Sequence, residues 1–294
     1  MNDRRGHATA VINGHRPVTG PLCDIGHLLS STMVFDRKRM VAAHLRLKPA
    51  GPPGKPVFHA AAGHMPQIPD RASAYAVSMR YNGHVHPGGP AAVLTGTDAD
   101  VMKFSVSATD NNVYVITCRR SGARVLIDAA DDTARIVEVL DGHLPQTVIT
   151  THRHWDHIRA LEPIVAASGA ASLAHADDAA AIPTVTATLG DGDVVPCGDV
   201  ALEVIHLVGH TPGSIALCLR DPAGPTRLFT GDSLFPGGVG KTMSPQDFQS
   251  LIDDVEKKIF ERFDDDTVVH PGHGDDTTLG AERHRLPQWR ARGW

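Results

Sequence analysis

One short segment of the chain concentrates four side chains of the kinds that bind metals. It reads THRHWDH from Thr151 to His157. Alternate residues of a strand point the same way, so His152 and His154 are expected on one face as the chain leaves a sheet. Asp156 follows, immediately before the last histidine of the segment. These side chains could bind two neighbouring metal ions, one through two imidazoles and the other through a carboxylate and an imidazole. This donor set suits zinc, iron or manganese.

Three loops further along the chain carry single residues of the same types. His210 lies in VGHTPGS, Asp232 in TGDSLF and His273 in HPGHG. Loop positions held by rigid strands are where catalytic side chains tend to lie. Each of the three alone is typical of an ordinary polar turn, but together with the histidine cluster they indicate one metal centre. Two other histidines are set apart: we interpret His206, inside an apolar strand, as a core or edge residue, and His270, before a Pro-Gly turn, as supporting or structural.

The surrounding pattern predicts the elements that position these side chains. Alternation over Val101–Ser107 predicts a half-buried strand that opens an antiparallel meander. Further strands are predicted at 113–118, 125–128, 147–151, 201–207, 214–219, 227–230 and 267–270. Helical spacing is present over 131–140. A second helix is expected to begin after Ser244 as N-cap, with Pro245 in its first position and an apolar face from Phe248 to Phe260.

The motifs, in this order across residues 92–294, resemble those of the metallo-β-lactamase-fold hydrolase superfamily. The resemblance implies an α+β fold, a four-layer αββα sandwich with the metal site at the edge of its two sheets. It also implies two divalent ions per chain, zinc first and iron or manganese as alternatives. The first ion would be held by His152, His154 and His210. The second ion would be held by Asp156, His157 and His273. Asp232 would bridge the two ions.

The chemistry implied is hydrolysis by a hydroxide shared between the ions, since metal binding lowers the pKa of water from 15.7 to roughly 7. Asp156 and Asp232 are the catalytic candidates. The stretch LFPGGVGKT resembles the short glyoxalase II-like group, which hydrolyses thioesters. In glyoxalase II a lysine matching Lys241 contacts the carboxylate of the thiol cofactor. Only 21 residues follow His273, where glyoxalase II has a helical domain that binds glutathione. The resemblance therefore supports thioester or ester hydrolysis more than glutathione specificity.

Other functions on the same fold stay open at this point. One is a persulfide dioxygenase, which uses one iron held by two histidines and an aspartate. Its sequences usually lack the histidine that corresponds to His273, which favours the two-metal hydrolase. A lactonase is another, and a metal-binding scaffold with a decayed site is a non-enzymatic alternative that the complete ligand set disfavours. An exported β-lactamase is not expected, because the sequence does not start with an apolar signal segment.

Composition divides the chain near residue 91. Residues 1–91 contain eleven Lys and Arg and four Asp, a formal charge of +7. Residues 92–294 contain 17 Lys and Arg and 29 Asp and Glu, a formal charge of −12, and the two sum to the net charge of −5. We predict a basic, Pro/Gly-rich and largely irregular extension over 1–91, containing an isolated His84-x-His86 pair, and a hydrolase domain over 92–294. The net charge, the absence of an 18-residue apolar run and the four dispersed cysteines predict a cytoplasmic protein with a small-molecule substrate and neither nucleic acid nor membrane as partner. The sequence does not predict an oligomeric state.

Overall fold

Three separate hydrophobic clusters divide the structure into four layers. The computed structural model describes residues 82–293. One cluster lies between two sheets, and each of the other two lies between the outer face of a sheet and the helices that cover it. The order is helices, sheet, sheet, helices. The predicted α+β class and αββα sandwich are therefore confirmed.

The first sheet has seven strands that follow one another in chain order. They are β1 (Ala92–Thr95), β2 (Ala99–Val106), β3 (Asn111–Cys118), β4 (Arg124–Ile127), β5 (Thr147–Thr150), β6 (Ala171–His175) and β7 (Ala187–Leu189). The first four pair antiparallel, which confirms the meander, and β4 to β7 pair parallel.

The second sheet has the order β15-β14-β11-β10-β9-β8. Its strands are β8 (Val194–Cys197), β9 (Val200–His206), β10 (Ile215–Leu219), β11 (Arg227–Gly231), β14 (Val268–Pro271) and β15 (Thr277–Thr278). A separate hairpin pairs β12 (Leu234–Phe235) with β13 (Gly238–Val239). The strands β11 and β14 run parallel, so the loops that follow them leave the same edge.

The helices cover the two outer faces. They are α1 (Thr133–Leu140), α2 (Leu161–Ser168), α3 (Ala176–Ala179), α4 (Pro245–Asp254), α5 (Leu279–Arg283) and α6 (Leu286–Arg292). The predicted start of α4 is confirmed, because the Ser244 hydroxyl accepts a hydrogen bond from the Asp247 N–H at 3.1 Å and Pro245 occupies the first turn. After Asp254 the helix widens to a π-helix over Val255–Phe260, which the sequence pattern did not predict.

The strand β3 shows how side-chain alternation builds two of these layers at once. Val113 and Val115 belong to the cluster under the helices, whereas Tyr114 and Ile116 belong to the cluster between the sheets. A strand covered on both faces is selected for apolar residues at almost every position. The continuous apolar run of β3 is therefore a consequence of its central place in the sandwich.

The prediction that β2 is half-buried was wrong. The strand itself is present, but Lys103 and Ser105 on its predicted solvent face are 0% and 1% exposed. They share the face of Val101, which packs between the sheets. The ammonium group of Lys103 is satisfied by residues distant in sequence, and the Ser105 hydroxyl donates to Asp110 in the turn that follows. A local alternation pattern reveals neither set of partners.

Residues 82–91, which we assigned to the extension, contact the first sheet. Val85 is buried, and Pro87 forms an isolated bridge with Ser105 of β2. Residues 1–81 lie outside the described part of the chain, so the extension and its boundary stay predictions. Within residues 82–293, none of the helices has the length and apolar character needed to cross a bilayer.

Candidate metal centre

Four loops bring all seven predicted ligands together. The loop after β5 carries the histidine cluster, and the loops after β9, β11 and β14 supply one residue each. The side chains form two groups: His152, His154, His210 and Asp232; and Asp156, His157 and His273. Within each group, one ligand atom per residue lies within 4.8 Å of the others. This division matches the two ligand sets that the resemblance implies.

Asp232 faces both groups. Its Oδ2 lies 3.9 Å from His152 Nε2 and 3.6 Å from His210 Nε2, both in the first group. Toward the second group, Oδ1 lies 3.4 Å from His157 Nε2, and Oδ2 lies 3.5 Å from His273 Nε2. A carboxylate in this position can contribute an oxygen to each of two ions.

Asp128, which sequence analysis missed, orients two histidines of the centre. It is buried at the end of β4, and its Oδ2 accepts from His157 Nδ1 at 3.0 Å. The same oxygen accepts from the Thr151 hydroxyl at 2.8 Å, and that hydroxyl lies 3.0 Å from His152 Nδ1. Since the hydroxyl proton is donated to Asp128, His152 Nδ1 donates to the hydroxyl oxygen. Metal-binding histidines commonly donate a hydrogen bond from the ring nitrogen that does not bind the metal to a carboxylate, which fixes the orientation of the ring.

Two backbone carbonyls orient two further histidines. His210 Nδ1 donates to the carbonyl of Lys241 at 2.6 Å, and His273 Nδ1 donates to the carbonyl of Thr109 at 2.8 Å. In all four histidines the bond at Nδ1 occupies that nitrogen and leaves Nε2 as the ring atom available to a metal.

Three buried polar atoms support this use of the site. His152 Nε2, His210 Nε2 and Asp232 Oδ1 receive no hydrogen bond from the described residues. Buried polar atoms are rarely left without a partner, and each exception calls for an explanation. Two imidazole lone pairs in the first group, and a carboxylate oxygen that faces His157 of the second group, are donors that divalent ions such as zinc or iron bind. The residues present therefore fit a metal.

The carboxylates and imidazoles of the centre shift one another's pKa values. Burial alone lowers the pKa of His157, but the carboxylates of Asp128 and Asp232 raise it to about 10. Burial would raise the pKa of Asp232, but His157 and His273 hold it well below its ordinary value. Burial lowers the pKa of His152 well below its ordinary value, and the positive charge of His157 lowers it further. An ion that binds His157 Nε2 has to displace a proton, so binding tightens as pH rises.

A second buried carboxylate, Asp178, joins two ligand loops. It accepts from the N–H of Arg153 at 3.0 Å and the N–H of Gly213 at 3.0 Å. It also accepts from the Thr211 hydroxyl at 2.6 Å. These bonds hold the backbone beside His154 and beside His210. No local motif marks Asp178, because its partners lie 25 to 35 positions away.

Lys241 contributes through its backbone in a way that the sequence did not predict, because its carbonyl supports His210. Its exposed side chain lines an open depression of about 280 Å³, together with Phe248 and Arg292. The predicted substrate-binding role of Lys241 stays a prediction.

His206 lies outside both ligand groups but near a third cluster. Its ring stacks on His175 with centroids 3.7 Å apart and planes 25° apart, and Asp177 lies beside them. The in-plane lone pairs of two stacked rings do not converge on one point. Moreover, His206 Nε2 donates to the carbonyl of Pro212 at 2.8 Å. We therefore assign no metal to this cluster.

His270, His84 and His86 also lie outside the two ligand groups. His270 is fully buried, with Nδ1 2.8 Å from Asp276, as expected of a supporting residue. The His84-x-His86 pair, isolated in the sequence, has an acidic partner in the structure. His84 Nδ1 pairs with Asp275, and His84 Nε2 lies 2.9 Å from His86 Nδ1. Asp275 follows the last ligand loop, far from this pair in sequence.

Comparison with known proteins identifies the family. Residues 106–273, more than half of the chain and a range that includes all seven candidate ligands, match the family described as the metallo-beta-lactamase superfamily. The chain belongs to the metallo-beta-lactamase superfamily. The metallo-hydrolase character and the divalent-metal site inferred from the motifs agree with this membership.

Relatives within the superfamily include two with a named activity. Hydroxyacylglutathione hydrolase of Polaromonas sp. strain JS666 is 33% identical over 169 residues, 57% of this chain and 63% of the relative. The chain thus spans less than two thirds of that relative. Hydroxyacylglutathione hydrolase GloC of Haemophilus influenzae is 29% identical over 205 residues, covering 62% of this chain and 94% of the relative.

A solved structure of the superfamily supports the same fold. TTHA1623, described in a di-iron-bound form, has a TM-score of 0.51 and 27% identity, covering 65% of this chain and 97% of that one. The iron is a property of that protein.

Proposed function

We propose that this protein is a dinuclear metal-dependent hydrolase that cleaves thioesters, with related esters as slower substrates. The observation that carries the proposal is the convergence of two complete ligand groups on one shared carboxylate, Asp232. The two relatives named as hydroxyacylglutathione hydrolases direct the proposal toward thioesters. The proposed partner is a small-molecule substrate in the cytoplasm, with neither nucleic acid nor membrane.

In this proposal the residues of the chain hold the ions and balance their charge. Bound divalent ions would supply Lewis-acid polarisation of the acyl carbonyl and lower the pKa of a water molecule toward neutrality. Asp232 and Asp156 provide negative charge against the cations. Asn111 donates to Asp156 Oδ2 at 3.1 Å and so keeps that carboxylate turned toward His273, whose Nε2 lies 3.4 Å from the same oxygen.

The leaving group favours a thioester. A thiol has a pKa near ~8.5, so a thiolate can leave without receiving a proton, whereas an amine leaving group needs one. The titratable side chains that converge in the centre are candidate ligands, and Asp128 and Asp178 are buried behind them as hydrogen-bond acceptors, so we assign none of them as a general acid. We therefore expect thioesters to react fastest, then activated esters or lactones, and β-lactams hardly at all.

A substrate panel tests the proposal on zinc-loaded and iron-loaded protein. A thioester of a hydroxy acid, a lactone, a β-lactam and a persulfide are compared by kcat/KM, with oxygen uptake measured for the persulfide. We expect a thioester preference of at least about a hundredfold over the β-lactam. Oxygen consumption with the persulfide, one bound iron and no thioesterase activity would replace the proposal with the dioxygenase. A lactone turned over faster than every thioester would replace it with a lactonase.

Lys241 is expected to act in substrate binding. It lines the depression with Arg292, so two cations face the space beyond Gly240, which adjoins His210. A carboxylate on the thiol portion of the substrate suits this position. The Lys241→Ala variant should raise KM at least about fivefold with kcat little changed, which is the result of losing binding common to ground and transition states.

The backbone contribution of Lys241 makes this variant interpretable. Alanine keeps the carbonyl that supports His210, so the metal site should stay intact. The matched control is Lys257→Ala, which removes another exposed lysine, on the π-helical segment. An unchanged KM in Lys241→Ala, or a fall in kcat alone, would exclude the binding role.

A further inference from the structure

A lysine is fully buried beneath the loop that carries His273. Lys103 of β2 is 0% exposed, and its ammonium group makes three hydrogen bonds. It donates to Asp276 Oδ1 at 2.7 Å, to the carbonyl of Gly274 at 2.8 Å and to the carbonyl of Gly83 at 3.0 Å. Removing a charge from water costs several kcal/mol unless it is paired and hydrogen-bonded. Lys103 satisfies all three of its donors, so the charge is accommodated by a specific set of partners.

Asp276 connects this lysine to a buried histidine. Its Oδ2 lies 2.8 Å from His270 Nδ1, and its side chain is only 5% exposed. Burial alone would raise the pKa of Asp276, but His270 and Lys103 lower it below its ordinary value. The carboxylate is thus held ionised between residues on opposite sides of the sandwich: Lys103 belongs to the first sheet and His270 to the second.

The bonds of this network fix the backbone on both sides of His273. After His273, the carbonyl of Gly274 accepts from Lys103 and from Asn112 Nδ2 at 2.9 Å. Before it, the carbonyl of Pro271 accepts from the same Asn112 amide at 2.9 Å and from the Tyr114 hydroxyl at 2.6 Å. With these carbonyls held, the His273 ring is directed at Asp156 and Asp232. Lys103 is the charged member of this support.

The segment before β1 completes the arrangement. The carbonyl of Gly83 accepts from both Lys103 and the N–H of Asp276. Gly83 has a φ of +91°, and a Cβ at this position would lie 3.2 Å from that of Asp276. A glycine therefore allows the segment to approach the ligand loop closely. Residues assigned from the sequence to an irregular extension thus take part in supporting the metal centre.

We infer that the buried Lys103–Asp276 pair is a positioning device for His273 and sets the affinity of the second metal ion. The inference depends on the two-metal centre of the proposed function but not on which substrate the centre hydrolyses. Supports of this kind change metal affinity by roughly 10- to 100-fold when removed. Removing the pair should weaken metal binding by the group that contains His273 and leave metal binding by the group that contains His154 and His210 nearly unchanged.

Stepwise zinc titration of metal-free, full-length protein against a chelating dye tests the inference without reference to activity. The variants are Lys103→Met, Asp276→Asn and the double variant, with His273→Ala included to identify the second binding step. We expect each of the first three to weaken the second step at least about tenfold and leave the first within about twofold. Arg290→Met is the matched control, because Arg290 joins α6 to the region of α4 through Asp253 and Glu256, away from the ligand loops.

The double variant keeps the test decisive if a single variant fails to fold. Removing one partner of a buried pair leaves the other charge uncompensated, whereas the double variant leaves none. Equal weakening of both steps, or no change in either, would overturn the inference and leave the pair a purely structural role. A single zinc step in the wild-type protein would overturn the two-metal proposal itself, and the inference with it.

Discussion

Replacing Asp232 by alanine is expected to remove both ions and lower hydrolysis by at least about a thousandfold. Asp232 is the residue whose oxygens face both ligand groups, and its charge compensates His157 and His273. Metal ions contribute several kcal/mol to the transition state, and each 1.36 kcal/mol is tenfold in rate. The metal content of the purified variant and its kcat/KM on the best thioester measure the effect.

The control for this variant is Asp253→Ala, which removes an exposed carboxylate of α4. It should keep both ions and its activity. If Asp232→Ala retained two tightly bound ions, or if its kcat/KM fell only a few-fold, Asp232 would not be the bridging residue.

A single methyl group at Gly272 is expected to damage the centre almost as severely. A Cβ built there would overlap Asp232 Oδ1 and lie 2.8 Å from His157 Cε1. Gly272 is not among the glycines with positive φ, so alanine imposes no backbone strain, and the added carbon alone causes the effect. The methyl group would displace the carboxylate that both ion sites share, and we expect loss of at least one ion and a fall in kcat/KM of at least about a hundredfold.

Gly190→Ala is the matched control, because a Cβ there meets only Asp193 Oδ2, at an ordinary distance of 3.7 Å. Metal content and circular dichroism of both variants separate a local effect on the centre from loss of fold. Wild-type metal content in a folded Gly272→Ala protein would show that the carboxylate can move aside without consequence.

The sequence predicted which side chains cluster, because the candidate ligands lie in short motifs. THRHWDH places four donors within six residues, and the other three follow predicted strands. The strands themselves were predictable where branched apolar residues dominate, as in β3 and β5. The parallel strand β6, ASLAH, lacks that signal, and its position between β5 and β7 determines its conformation instead. The helix α2 has only eight residues, too few for helical spacing alone to give its bounds.

The supports of the centre were not predictable, because they join residues far apart in sequence. Asp128 and Asp178 accept bonds from positions 23 to 35 residues away. Lys103 and Asp276 are 173 positions apart. In a single sequence each resembles an ordinary surface charge. The pairing of β4 with β5 brings Asp128 to Thr151 and His157, and the packing of the two sheets brings Lys103 to Asp276.

The ligand loops come from both sheets of the sandwich, so the centre also joins its two halves. His152 and its neighbours leave the first sheet after β5, while His210, Asp232 and His273 leave the second. An ion that binds only the folded chain adds about 2.7 kcal/mol of stability when its free concentration is a hundredfold above Kd. The lifetime of the folded protein would then follow the metal supply of its surroundings. A shortage of metal would then make the chain more prone to unfolding and proteolysis, in addition to abolishing its activity.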